Sequence, residues 1–219
     1  MPTLHRYLIA SLFGLLATSL FAAPLPKGNF SVGSSQPIDD KHWGVLVYHS
    51  WMTSNNIGAV LTWQDVHLKY GTMNSVDLSY QLAPQNPLRR FFQPLVSTVE
   101  VAGNITQRRD PNGLIYEFDP YLNFRWKNFP WNNTVATTLS IGDGLSYATG
   151  LPLREEHDST NNNAKHLLNF LVLEASFAAP QHPDLEFVVR VNHRCGAWGL
   201  FGAGNLSSNA VGVGIRYLF

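Results

Sequence analysis

The C-terminal segment Asp184–Phe219 alternates between apolar and polar side chains with the two-residue period of β-strands. Its two alternating stretches are separated by a Gly-rich turn, which predicts a hairpin. Polar residues interrupt the apolar faces near that turn, at His193 and Cys195 on the first strand and at Asn209 on the second. The apolar face of the first strand consists of Leu185, Phe187, Val189, Val191, His193 and Cys195.

The same alternation recurs upstream and predicts further strands. The clearest case follows Asp110-Pro-Asn-Gly113, a strong signal for a tight hairpin turn. From Leu114 to Trp126, apolar side chains share one face while acidic, amide and basic side chains share the other. The other predicted strands lie at Trp43–Trp51, Val76–Leu82, Gln93–Thr106, Val135–Gly144 and His166–Phe177.

Residues 52–72 leave the strand count open, because they fit a strand, a long loop or a loop with a helical turn. Counting them as a loop gives eight strands, and counting them as a strand gives nine. Bacterial outer-membrane barrels have an even number of strands, which favours eight. The sequence contains no long amphipathic helix, internal repeat or composition break, so a single domain is expected.

A soluble β-sandwich and a membrane barrel both use alternating strands. Here the faces opposite the apolar ones carry Glu, Asp, Asn and Arg, which suits a barrel interior packed with ion pairs. Aromatic residues recur near strand ends, and the chain ends in Phe219 on an alternating strand, as in bacterial outer-membrane barrels. We therefore predict an all-β fold, an eight-stranded antiparallel transmembrane β-barrel, located in the bacterial outer membrane.

The N-terminus has the composition of a secretory signal peptide. A basic start precedes the apolar run Tyr7–Ala23, which is short for a membrane helix and ends in small residues. We predict a signal peptide at 1–22, a Pro- and Gly-rich mobile lead-in at 23–42 and a barrel domain at 43–219. An uncleaved anchor helix is the alternative.

Charge and cysteine content exclude several classes of function. The net charge is +0 and charged residues make up 14% of the chain, so nucleic-acid binding is not expected. The single cysteine excludes an internal disulfide. The histidines are scattered singly, without the spacing of metal ligands, so neither a metal nor another cofactor is predicted.

Strand direction places the polar residues of the final hairpin at the outer rim of the barrel. The termini of such barrels are periplasmic, so the last strand begins at the external leaflet. His193, Cys195 and Asn209 would then face lipid, where unpaired polar groups cost several kcal/mol. A use for them implies an amphiphilic substrate in the outer leaflet, which in Gram-negative bacteria is lipopolysaccharide.

The three residues have the chemistry of a nucleophile, a base and an orienting group. Side chains at i and i+2 of a strand stand side by side, so His193 can accept the proton of Cys195. Asn209 can hold the other imidazole nitrogen, as in Cys–His–Asn triads. The predicted oxyanion and substrate-binding residues are Gly196, through its backbone N–H, together with Arg194 and Ser208.

Simpler readings compete with catalysis. His193 and Cys195 could merely end an apolar face at the membrane interface. Eight strands enclose no open channel, which argues against a porin. Residues 155–158 are interpreted as a solvated loop. Lumen ion pairs are the preferred role for Glu117, Asp119, Arg125, Glu174, Glu186 and Arg190.

Three segments resemble the PagL-type lipid A 3-O-deacylases and related acyloxyacyl-hydrolase-like proteins. They are GDGLSYATGLPLREE from Gly142, LLNFLVLEASFAAP from Leu167, and HRCGAWGLFG from His193 with the later SSN. That family has a lipid-facing Ser–His–Glu triad. By position, the resemblance implies that His193 is the family histidine, Cys195 stands for the serine and Asn209 for the acid.

The resemblance implies an outer-membrane ester hydrolase that removes an acyl chain, the 3-O-linked one, from lipid A. The replacements by Cys195 and Asn209 leave a worn-down, non-catalytic barrel with a structural or surface-interaction role as the alternative. Gly196 is a further departure, since the family has Asn after its nucleophile. The expected partners are lipopolysaccharide and the membrane, and the oligomeric state stays open between monomer and dimer.

Overall fold

The computed structural model describes residues 41–62, 66–158, 164–204 and 206–219. Its strands are β1 (Trp43–Thr53), β2 (Leu68–Gln81), β3 (Thr98–Asp110), β4 (Gly113–Trp126), β5 (Ala136–Ala148), β6 (Leu167–Ala178), β7 (Leu185–Cys195) and β8 (Ser207–Leu218). Its helices are α1 (Ile57–Leu61), α2 (Pro87–Phe92) and α3 (Leu153–Asp158), with a 3-10 turn at Ala197–Gly199. The predicted signal peptide and most of the lead-in lie outside the described residues.

The strands form one closed antiparallel barrel in the order β1 to β8. Each strand pairs with the next along the chain, and β8 closes the barrel against β1, for example at Gly44 and Leu218. The backbone N–H of Trp43 donates to the Phe219 carbonyl at 3.0 Å, so both ends of the barrel domain lie at one rim. The predicted eight-stranded antiparallel barrel is confirmed.

The barrel is apolar outside and charged inside, the reverse of a soluble domain. Outward side chains such as Val47, Ile105 and Ile215 are half or more exposed. Four arginines are instead among the largest fully buried side chains, namely Arg108, Arg125, Arg190 and Arg216. An apolar outer band around a polar interior is the arrangement of bacterial outer-membrane barrels. The location predicted from the sequence is therefore confirmed together with the fold.

Buried ion pairs fill the interior. Arg190 contacts Asp77 at 3.0 Å and Glu174 at 2.8 Å, across the lumen. Glu174 also contacts Arg216 at 2.6 Å, so the groups form a network rather than isolated pairs. Such a network compensates the desolvation of its charges and fixes which strands face one another. The expectation of lumen ion pairs is confirmed, and packed side chains occupy the space that a porin would leave open.

Several local predictions need correction. Residues 52–72 contain helix α1, and β2 begins at Leu68, earlier than the alternation from Val76 indicated. The segment 83–91 was expected to be a turn but contains the start of helix α2, capped by the Asn86 side chain. Strand β3 starts at Thr98, because Pro94 lacks the N–H that a ladder needs.

Helices in the described part of the chain are short. None of them is long and apolar enough to cross a membrane. In the same residues, no three His, Cys, Asp or Glu side chains converge in a way that could hold a metal ion.

Candidate functional site

His193 and Asn209 form a direct hydrogen bond at the outer rim. The register of β7 and β8 places the two residues opposite each other. Their Nδ1 and Oδ1 atoms lie 2.6 Å apart. The sequence prediction that Asn209 can orient the imidazole therefore corresponds to an actual contact.

A second hydrogen bond fixes the direction of the Asn209 amide. Its Nδ2 donates to the backbone carbonyl of Asn55 at 2.8 Å. Since a carbonyl can only accept, the amide nitrogen must point to Asn55 and Oδ1 must point to His193. Nδ1 of His193 therefore carries the proton, and Nε2 is left unprotonated, as a general base requires.

The covering segment also changes the surroundings of the site. Asn209 lies on the outward face of β8 but is only 2% exposed. The residues after β1 cover it, through the Asn55 carbonyl. The prediction that all three residues face lipid is therefore correct for the half-buried His193 and Cys195 and wrong for Asn209.

Cys195 shares the outward face with His193 but directs its thiol elsewhere. Its Sγ donates to Oδ1 of Asn169, the register partner on β6, at 3.7 Å. Asn169 in turn donates through Nδ2 to the outward carboxylate of Asp143 at 3.0 Å. The proton donor role of the thiol is thus satisfied by Asn169 in this structure.

Gly196 does not offer the free N–H expected of an oxyanion donor. Its N–H donates to the Leu206 carbonyl at 3.1 Å, which closes the hairpin. A Cβ at this position would lie 2.6 Å from the Gly204 carbonyl oxygen, so the close approach requires glycine. The next backbone amide, that of Ala197, lies beside the thiol instead. Ala197 has φ 45°, a conformation that non-glycine residues adopt at a cost.

Arg194 and Ser208 are not placed to contact a substrate in the outer leaflet. They alternate with the outward residues, so their side chains point into the barrel and are each 3% exposed. Arg194 forms an ion pair with Glu155, and Ser208 donates to the same carboxylate at 2.7 Å. The substrate-binding role predicted for these two residues is corrected to an interior one.

The sequence pattern missed four residues of this region. Asn169 and Asp143 occupy outward positions of alternating strands, and that parity could have identified them. Glu155 was interpreted as solvated but is 0% exposed. Asn55 acts through its backbone, which no sequence pattern marks.

Known structures share the barrel at low sequence identity. The outer membrane enzyme PagL matches with a TM-score of 0.49 and 12% identity, over 80% of this chain and 99% of that one. Neisserial surface protein A matches with a TM-score of 0.47 and 10% identity, over 81% and 97%. The N-terminal β-barrel domain of Pseudomonas aeruginosa OprF matches with a TM-score of 0.47 and 8% identity, over 82% and 98%. Identities this low concern the fold alone.

Sequence comparison identifies no family. No protein-family model matches the chain. A stretch of 110 residues is 31% identical to the receptor-type guanylate cyclase gcy-6 of Caenorhabditis elegans, which is 49% of this chain and 9% of that protein. Because the chain spans so little of that protein, no shared family or activity follows from the match.

Proposed function

We propose that the protein is an outer-membrane carboxylic ester hydrolase that removes an ester-linked acyl chain, the 3-O-linked one, from lipid A of lipopolysaccharide. Cys195 is the nucleophile, His193 the general base and acid, and Asn209 the orienting residue. The substrate class follows from the outward position of His193 and Cys195 at the outer rim and from the PagL-type resemblance of the final hairpin.

The observation that carries the proposal is the chain of hydrogen bonds from Asn55 through Asn209 to His193. It holds one imidazole tautomer, in which Nε2 is free to accept a proton. A lipid-facing histidine with no chemical task has no need of a partner whose own orientation is fixed. Orientation of the base by a third group is the common element of nucleophile triads.

The reaction proceeds through an acyl-enzyme. Nε2 of His193 takes the proton of Cys195, and the thiolate attacks the ester carbonyl carbon. The carbon–oxygen bond to the sugar breaks, and the sugar oxygen leaves with the proton from His193. Water, deprotonated by His193, then attacks the thioester, releases the fatty acid and restores the thiol.

The loop that follows Cys195 suits the acyl chain of such a substrate. Trp198 and Leu200 are 72% and 81% exposed, next to the nucleophile in the chain. Large apolar side chains at the membrane interface bury themselves among lipid tails. We propose that they hold the scissile acyl chain beside Cys195.

A non-catalytic barrel is the second candidate function, and one observation favours it. The thiol proton of Cys195 points to Asn169 rather than to a base. Catalysis requires the thiol to rotate away from Asn169 when substrate binds. Apo geometries of catalytic hydrogen bonds are commonly loose and tighten only in the substrate complex, so we rank hydrolysis first.

Mass spectrometry of lipid A from Gram-negative cells with and without the protein tests the proposal. The expected result is loss of one hydroxyacyl mass, abolished by Cys195→Ala and by His193→Ala. His49→Ala is the matched control, because His49 also faces outward and bonds an asparagine. Unchanged lipid A in cells that assemble the barrel correctly would support the non-catalytic alternative.

A further inference from the structure

Glu155 connects the two strands of the site from inside the barrel. Its Oε2 forms an ion pair with Nη1 of Arg194, and its Oε1 accepts from Ser208 at 2.7 Å. Arg194 and Ser208 are register partners on β7 and β8. One carboxylate therefore holds both strands at a single level.

The level is that of the candidate site. Arg194 lies between His193 and Cys195, and Ser208 immediately precedes Asn209. Neighbouring side chains of a strand point to opposite faces, so a force on an inward residue sets the position of the outward ones beside it. The inner contacts of Glu155 therefore bear directly on the outer hydrogen bond.

Arg194 is held tightly on its other sides as well. Its Nε donates to Ser146 Oγ at 3.0 Å and its Nη2 to the His166 carbonyl at 2.5 Å. These bonds leave the side chain 3% exposed. Small movements of Arg194 are thus resisted by β5 and by the segment before β6.

Helix α3, which carries Glu155, is anchored at the outer mouth by separate contacts. Asp110 accepts from the Leu153 backbone at 3.0 Å, and Asn112 donates to Glu156 at 2.7 Å. Arg154 donates to the Ser54 carbonyl at 3.2 Å. Ser54 adjoins Asn55, whose carbonyl fixes the Asn209 amide. The helix therefore supports Asn209 from the covering loop as well as from the lumen.

We propose that Glu155 is a positioning residue that sets the His193–Asn209 geometry through Arg194 and Ser208. A carboxylate that only stabilised the barrel would not need to join the two residues flanking the outward trio. The catalytic consequence rests on the proposed function, whereas the geometric consequence does not.

The test compares three variants of the full-length protein in detergent. Glu155→Met combined with Arg194→Met removes both charges at similar volume, so no unpaired charge remains buried. Ser208→Ala removes one contact and keeps the ion pair, which provides a second test if the double variant fails to assemble. Glu156→Gln on the same helix is the control, since Glu156 is exposed and bonds Asn112.

The first readout is the Nδ1–H signal of His193 in ¹⁵N-histidine-labelled protein, with the His49 signal as an internal reference. In the double variant the His193 signal should be lost or exchange-broadened while the His49 signal stays unchanged. The Ser208→Ala signal should shift in the same direction by less. An assembled double variant with an unaltered His193 signal overturns the proposal, as does an equal change at both histidines.

The second readout is deacylation of lipopolysaccharide in mixed detergent micelles. We expect kcat to fall about 100-fold in the double variant with KM unchanged, because the base is misplaced rather than the substrate site lost. A fall in KM-dependent binding alone would contradict positioning. An inactive wild-type protein would count against the hydrolase assignment, and the histidine signals would still decide the role of Glu155.

Discussion

Two histidine–asparagine pairs occur on the outward face of this barrel. His193 and Asn209 join β7 to β8 at 2.6 Å, and His49 and Asn74 join β1 to β2 at 2.8 Å. Both pairs are register partners and both use Nδ1 of histidine and Oδ1 of asparagine. Their inner geometry is thus nearly the same, and their surroundings differ.

The differences lie in the residues next to each pair. Two positions after His193 stands Cys195, whereas two positions after His49 stands Trp51, whose ring meets the imidazole edge-on at 4.7 Å. Asn209 is fixed by the Asn55 carbonyl, and the described residues show no corresponding contact at the exposed Asn74. A histidine–asparagine pair alone therefore indicates membrane-interface packing, and the nucleophile with a fixed amide indicates chemistry.

The largest expected effect separates the two histidines. His193→Ala should lower kcat for lipopolysaccharide deacylation by about 10³-fold, the contribution of a general base. His49→Ala should leave kcat unchanged. Release of fatty acid by the purified variants measures both, and equal losses would show that neither histidine acts as a base.

The asparagines should show a smaller separation. Asn209→Ala should lower kcat about 10- to 100-fold, as expected for a residue that orients the reacting group, while Asn74→Ala has no effect. Asn209→Asp should not restore a faster enzyme, because its carboxylate would face the Asn55 carbonyl that Nδ2 now contacts. A faster Asp variant in the same assay would contradict this account of why the acid is replaced.

These pairs also mark how far the sequence could lead. Alternation predicted the strands, the eight-stranded barrel and the outward position of His193 and Cys195, because side-chain parity follows directly from strand geometry. It could not predict that Glu155 turns inward, since the path of a loop depends on contacts distant in sequence. The Asn55 carbonyl was equally hidden, because a backbone group leaves no residue signature.

Asn169 is the next residue that distinguishes the two sites. It accepts the thiol proton of Cys195, so Asn169→Leu should free the thiol for His193 and raise kcat. The expected increase is about fivefold, the equivalent of one hydrogen bond of about 1 kcal/mol. Leu167→Ala, an outward change on the same strand, is the control. A decrease in kcat would instead identify Asn169 as part of the catalytic machinery.

The smallest effect concerns stability at the other pair. Replacing both His49 and Asn74 by Leu removes donor and acceptor together, so it should change the free energy of unfolding by no more than about 1 kcal/mol. Urea unfolding followed by the gel mobility of the folded barrel measures it. A large loss of stability would show that His49 has a structural role that its exposure does not suggest.

The most direct test of the central claim is intact-protein mass spectrometry after rapid acid quench of the protein mixed with lipopolysaccharide. The account predicts a thioester at Cys195, seen as one added acyl mass, in the wild-type protein and in His49→Ala. Cys195→Ala should show none, and His193→Ala should form it far more slowly. Lipopolysaccharide deacylated without any acyl mass on Cys195, or the same acyl mass in Cys195→Ala, would contradict the account.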